Sequence, residues 1–348
     1  MAPDISPRLF CDTGDEVALQ TRDAFDGQVD QLRSAEDVRS LDLTRVHPLT
    51  GPVHVQGAQP GDILEIELLA IDVGDSGYTL QVPGFGFLRD DLPDEPFLVR
   101  WTFNDGLAES DELPGLRIPG APFPGTLGVA PSRALLEEVN RREGRALASG
   151  GLVLPPDPTG AVPDDLGVAQ EAWRTIPPRE TGGNIDIKQL RAGTSVFLPV
   201  FVEGALFSIG DAHFAQGDGE ACGTAIETSA TIRVRCALHE GLAATRRTRD
   251  LRFTGHAPSP SRHHDSRRAF VATTGISVTQ DGENRPEDLT LAARNALLNM
   301  IDYLVEQGWN RQQAYIICSV AADLKVSALV DVPNMMVSAF LPLDIFQE

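Results

Sequence analysis

The sequence predicts an α+β protein that is predominantly β, made of β-sandwich-like modules with a C-terminal helix–helix–strand portion. Three observations carry this. Apolar, β-branched runs at 63–73 and 195–210 read as strands, the first alternating with period two, the pattern of a sheet with one buried face. The chain's 32 glycines and 25 prolines interrupt such runs at short intervals, as the turns of a β protein require. The two clearest helical stripes lie together beyond residue 286, behind the β-rich part instead of alternating with it. We read 1–348 as one unit, with a β-rich core over about 20–275 and a smaller α+β portion over about 276–348.

Each element has its own warrant. VALQTRDAF near the start reads as a strand, and Ser34-Ala35-Glu36-Asp37 has the form of a capping box opening a short helix. PVHVQG and DILEIELLAIDV alternate and are separated by a Pro60-Gly61 turn signal, which predicts a hairpin turning at 58–61. Residues 77–130 are rich in glycine and proline with short strands; VPGFGFL there offers an apolar wall for a small substrate or core packing by Phe85 and Phe87. A helix is expected over 131–151, capped by Ser132, with Glu137 and Glu138 early and basic residues late. LPPDPTGAVPDDLG then reads as a surface loop. Near the end, Leu289, Ala293, Leu297, Met300 and Leu304 form one stripe between Pro286 and Gly308. Asn310 and Gln313 cap a second helix, and KVSALVDV and MMVSAFLP read as closing strands.

Composition narrows the function. A net charge of −21 repels phosphate backbones and anionic membranes, so no nucleic-acid or membrane partner is expected. It favours a neutral or cationic substrate. Cys11, Cys222, Cys236 and Cys318 are widely spaced and form no C-x-x-C; a reducing cytoplasm is the expected location. No run reaches the roughly 18–20 apolar residues of a membrane helix.

The chemistry concentrates in SIGDAHFAQGDGEACGTAIETS, residues 208–229. Asp211, His213, Asp218, Glu220 and Glu227 lie there among glycines. Titratable groups packed this closely repel one another unless something pairs them. The apolar strand leading in places Asp211 and His213 on one face, and the Gly-Asp-Gly turn at 217–219 brings Glu220 back beside them. The plain alternative is an acidic hairpin with a solvated tip.

GD-x-H-x-x-QGDGE followed by GTAIE resembles the signature of the acetamidase/formamidase family, hydrolases of short amides. HPLTGPVHVQGAQPGD (47–62), GVAP (128–131), GGNIDI (182–187), LPVFVEGALFSIGD (198–211) and ATTG (272–275) resemble it too. The resemblance implies cleavage of the C–N bond of formamide- or acetamide-class substrates to carboxylate and ammonia. It carries Asn184 and Asp186 into the site through Gly-Gly-Asn-x-Asp, and His47 through its His-Pro. We expect a small neutral amide as substrate and a homo-oligomer, first a dimer, as the assembly.

Amide hydrolysis needs an activated nucleophile, a polarised carbonyl and a proton for the leaving nitrogen. One arrangement uses a divalent metal held by Asp186, Asp211 and His213, zinc first, with calcium and manganese as alternatives. Glu220 is then the general base and later the acid, with Asp218 beside it as a catalytic carboxylate and Asn184, Gln216 and His47 toward the substrate. The other uses Cys222 as a thiol nucleophile, which its acidic neighbours oppose. Beyond these stand an amidohydrolase of larger amides or carbamates and a non-catalytic cation-binding β-protein. His256, His263, His264 and Asp265 lie in a basic, Pro/Ser-rich stretch that reads as a solvent loop.

Overall fold

The computed structural model describes residues 1–255 and 269–347, so the expected solvent loop with its histidines at 256, 263 and 264 lies outside the described residues. Three sheets organise the described residues. The largest has Gly182–Asn184, Phe123–Gly128, Phe207–His213, Glu227–Thr228, Ser76–Gln81 and Phe97–Asn104 as successive hydrogen-bonded neighbours, with Leu49–Val55 also paired to Phe207–His213. The second runs Arg252–Gly255, Thr194–Pro199, Ile63–Val73, Ala230–His239, Glu16–Thr21, all antiparallel.

These two sheets face each other as a sandwich. In Ile63–Val73, Leu64, Ile66 and Leu68 are fully buried, while Glu65 and Glu67 alternate outward. The inner residues meet Val53, Leu127, Phe207 and Ile209 of the first sheet in one apolar cluster. Cross-strand pairs finish the outer face, with Glu67 accepting from Arg235 at 2.7 Å and Glu65 at 2.8 Å from His239 Nε2.

The third sheet sets Met336–Pro342 between Phe270–Ile276 and Asp323–Ala328. Helix Leu289–Glu306 covers it and packs on helix Arg311–Ala321. Asp288 caps the first helix through Leu291 N, and Asn310 with Gln313 forms the expected capping box of the second. Ser132 caps helix Arg133–Ala148 as the sequence indicates.

One expectation is corrected. Leu49–Val55 and Ile63–Val73 do not form a hairpin; the first joins the large sheet and the second the opposite sheet. Period-two alternation identifies a strand without naming its partner, and here the turn at 58–61 is a corner between the sandwich layers. Thr194–Pro199 and Phe207–His213 part company in the same way. Phe87 packs against the core beneath Arg294, and Phe85 lies at the surface over Gly223.

Candidate active site

Strand Phe207–His213 is buried along its whole length and ends in Asp211 and His213. Its register with Phe123–Gly128 pairs Gly210 with Thr126 and Ala212 with Pro124, which sets Gly125 beside Asp211. A side chain cannot fit there. A Cβ on Gly125 would lie 2.6 Å from His213 Cε1, 2.7 Å from Asp186 Oδ1 and 2.9 Å from Asp211 Oδ2. Glycine at 125 therefore leaves the space into which three polar side chains converge.

Glu227 arrives from the partner strand, directly opposite His213. Its Oε2 lies 3.2 Å from His213 Nε2, and Asp211 Oδ1 lies 3.5 Å from the same nitrogen. Asp186 follows the end of strand Gly182–Asn184 with a left-handed backbone, φ 46°. Glu220 enters from the 217–223 loop, also left-handed at φ 44°. The ligand atoms form two overlapping groups, Asp186–His213–Glu220 and Asp211–His213–Glu227, each within 4.8 Å. Asp211, His213 and Glu227 are buried, whereas Asp186 and Glu220 are half-buried.

Gln216 fixes the imidazole. Its Nε2 donates to the Asp186 carbonyl at 3.0 Å, so its Oε1, 2.9 Å from His213 Nδ1, accepts that nitrogen's proton. This assigns the proton of the neutral ring to Nδ1 and leaves the Nε2 lone pair among carboxylates. Asp186 Oδ1, Asp211 Oδ1, His213 Nε2 and Glu227 Oε2 are all buried without a hydrogen-bond partner. Four orphaned polar atoms in two groups that share His213 are costly unless a cation or shared protons join them.

The titration behaviour reports the same stress. Burial raises the Asp186 carboxyl to about 7 against the pull of His213. Burial, reinforced by the Asp186 charge, holds Glu220 well above the ordinary carboxylate range, and burial raises Glu227 too. Asp211 goes the other way: His47, His213 and the Thr126 hydroxyl overcome its burial and hold it far below. Burial disfavours the charged imidazole of His213, but Glu227 and Asp211 outweigh it and hold its pKa well above the ordinary value. Unlike carboxylates driven apart in this way are a mark of acid–base and ligand sites.

The structure brings Asp186, Asp211, His213 and Glu220 together and adds Glu227 and Gly125, which sequence reasoning did not place among the site residues. Gln216 and Asn184, expected to meet substrate, are engaged within the protein. Asn184 donates to the Ile176 carbonyl at 3.1 Å, and its Oδ1 lies 2.8 Å from Thr126 Oγ1. Thr126 Oγ1 is also 3.0 Å from Asp211 Oδ2, and its one proton serves either acceptor. His47 Nε2 lies 3.8 Å from Asp211 Oδ2, and the residue also lines a neighbouring cavity of about 610 Å³. Asp218 faces away, toward Lys188 at 3.7 Å and Gln189 at 3.4 Å. Cys222 is buried, its thiol aimed at the Leu80 carbonyl 3.4 Å away, and burial pushes it up to about 11. All four cysteines are free.

A β-sandwich with a cluster of carboxylates and one histidine at the end of a buried strand defines a class of protein able to hold a cation and move protons. The chain belongs to the acetamidase/formamidase family, whose description matches residues 1–348. It is 35% identical to a formamidase of Methylophilus methylotrophus over 99% of this chain and 88% of that protein. It is 39% identical to an acetamidase of Mycolicibacterium smegmatis over 90% of this chain and 83% of that one. Among solved structures it resembles a gamma lactamase from Delftia acidovorans, with a TM-score of 0.92 and 36% identity over 99% of this chain and 88% of the other. No helix among the described residues is long and apolar enough to cross a membrane.

Proposed function

We propose that this chain hydrolyses the C–N bond of short linear amides, of the formamide and acetamide class, to a carboxylate and ammonia. Its family and its relatives named formamidase and acetamidase support the reaction class. The observation that carries a metal-assisted mechanism is the meeting at His213 of two ligand groups, Asp186–His213–Glu220 and Asp211–His213–Glu227, in which Asp186 Oδ1, Asp211 Oδ1, His213 Nε2 and Glu227 Oε2 are buried and unpartnered. Such a donor set fits a divalent cation. One imidazole among carboxylates suits zinc, with manganese and calcium as alternatives. Bound there, the cation would polarise the amide carbonyl and lower the pKa of water.

The chain's own residues do the rest. Glu220, half-buried and within reach of His213, would be ionised by a cation bound beside it; it then takes a proton from the attacking water and returns it to the leaving nitrogen. Gln216 holds the His213 ring through Nδ1. Thr126 and His47 support Asp211, and Asn184 orients Thr126. Phe123 sets its edge against the His213 ring at 4.9 Å and closes the apolar side. A thiol mechanism is disfavoured, because a buried Cys222 with a raised pKa stays protonated at neutral pH.

A second reading, opening of a cyclic amide, is favoured by the 0.92 TM-score to the Delftia gamma lactamase. It uses the same groups on the same bond. The cytoplasmic location and the homodimer stay with this proposal, and light scattering tests the assembly.

The deciding experiment measures ammonia release from formamide and acetamide, and ring opening of a γ-lactam, before and after chelation. Activity that disappears with chelator and returns with zinc, manganese or calcium supports the reading. Chelator-insensitive turnover overturns the metal, and absence of turnover on all three substrates overturns the reaction.

A further inference from the structure

Lys188 has no place in the chemistry above, yet it is 6% exposed, a rare condition for a lysine. Its ammonium contacts Asp323 Oδ1 and lies 3.7 Å from Asp218 Oδ1. Asp323 is itself 4% exposed, and its Oδ1 also accepts from the Asp218 backbone N–H at 3.1 Å. A charge this deep is retained only where paired, and its pairing joins particular parts of the chain.

The parts joined here are the two that carry Asp186 and Glu220. Lys188 is two residues beyond Asp186, on a segment whose start is anchored by Ile185 N and Asp186 N donating to the Gly125 carbonyl. Asp218 is two residues before Glu220. The loop carrying both acids rests on the C-terminal portion: Gly217 N donates to Ser319 O at 2.8 Å and Leu324 N to Asp218 O at 3.2 Å. Gly217 packs so closely that a Cβ would lie 2.2 Å from the Ala322 carbonyl oxygen. The Asp186 segment and the Glu220 loop are thus held by separate backbone contacts, with Lys188 bridging them through its two carboxylates.

We propose that Lys188 is a positioning residue for the hydrolytic centre: sealed between Asp323 and Asp218, it sets Asp186, which holds the cation, and Glu220, the base, at their working separation. The proposal rests on the metal reading of that site and not on which amide is cleaved. It distinguishes the bridge from mere neutralisation of Asp323. Neutralisation would alter stability alone, whereas positioning acts through Asp186.

The test pairs Lys188→Met with Asp323→Asn, so that no buried charge is left alone, and measures zinc affinity by competition with a chromophoric chelator. The cycle is completed with Asp186→Asn alone and with all three changes. Zinc affinity is expected to fall by about tenfold in the paired variant, the usual loss when a group supporting a ligand is removed. It should fall no further when the pair is added to Asp186→Asn. On acetamide, kcat should drop while KM changes by less than about threefold. Strictly additive losses, or wild-type zinc affinity in the folded variant, overturn the proposal. If the paired variant does not fold, Asp218→Asn, half-exposed and isosteric, carries the same cycle with the same expected outcomes. Wild-type protein that binds zinc but cleaves no amide sinks the reaction and leaves this cycle readable; wild-type protein that binds no divalent cation sinks both.

Discussion

His213 and Glu227 face each other across paired strands, with ring Nε2 3.2 Å from carboxylate Oε2. Gln216 occupies the other ring nitrogen, and Ala225 N donates to the other Glu227 oxygen at 2.8 Å. Each side chain is thereby aimed, and the two unsatisfied atoms meet over Gly125. Neither group can turn away to solvent, since both are buried.

Replacing His213 with alanine should strip the cation. One nitrogen donor to both ligand groups disappears, and zinc content by atomic absorption is expected to fall below a tenth of wild type. Full metal occupancy in the variant would remove His213 from the ligands.

Glu220→Gln keeps the shape and removes the base. Turnover should drop by about 10²–10⁴-fold with the circular dichroism spectrum preserved. Wild-type kcat in this variant would assign the proton transfer elsewhere.

Cys222→Ser should keep kcat within about twofold, because a thiol raised to about 11 contributes no nucleophile at neutral pH. The serine hydroxyl can take over the contact to the Leu80 carbonyl. Loss of activity in a folded Cys222→Ser protein would revive the thiol mechanism.

Gly125→Ala tests the space itself. The added methyl meets His213, Asp186 and Asp211 within 3 Å, so metal binding and activity should both fall, by about tenfold or more, while the surrounding sheet persists. Isothermal titration with zinc reads this directly.

The pH dependence has a definite sign. Asp186 titrates near 7 in the folded, metal-free protein, above its ordinary value of about 4. The folded state then holds a proton that the unfolded chain releases. This contribution to stability is present below about pH 4 and is lost as pH rises toward 7. Raised values for Glu220, Glu227 and His213 act in the same direction, and the depressed Asp211 acts oppositely at low pH. Zinc competes with these protons. The rise in Tm on adding zinc should be larger at pH 8 than at pH 5, with protons released on binding; an equal rise at both pH values would contradict the assignment.

Local signals in the sequence reach only part of this. Asp211 and His213 share a face because they are two apart near a strand end, and a glycine-rich return brings Glu220 back; spacing alone indicates both. Gly125 has no local signal, since its importance comes from a strand about 85 residues away in sequence settling beside Asp211. Lys188 and Asp323 are 135 residues apart, and nothing near either residue names the other. The misplaced hairpin has the same origin. Alternation records which side chains are buried, whereas strand partners are decided by how the sandwich layers close.

Gly217 resting beneath Ala322 ties the Glu220 loop to the last quarter of the chain. The C-terminal portion is therefore not an accessory that could be trimmed away. A chain cut near residue 275 would leave two fragments, each silent alone, and recovered turnover would serve as a reporter of their reassociation.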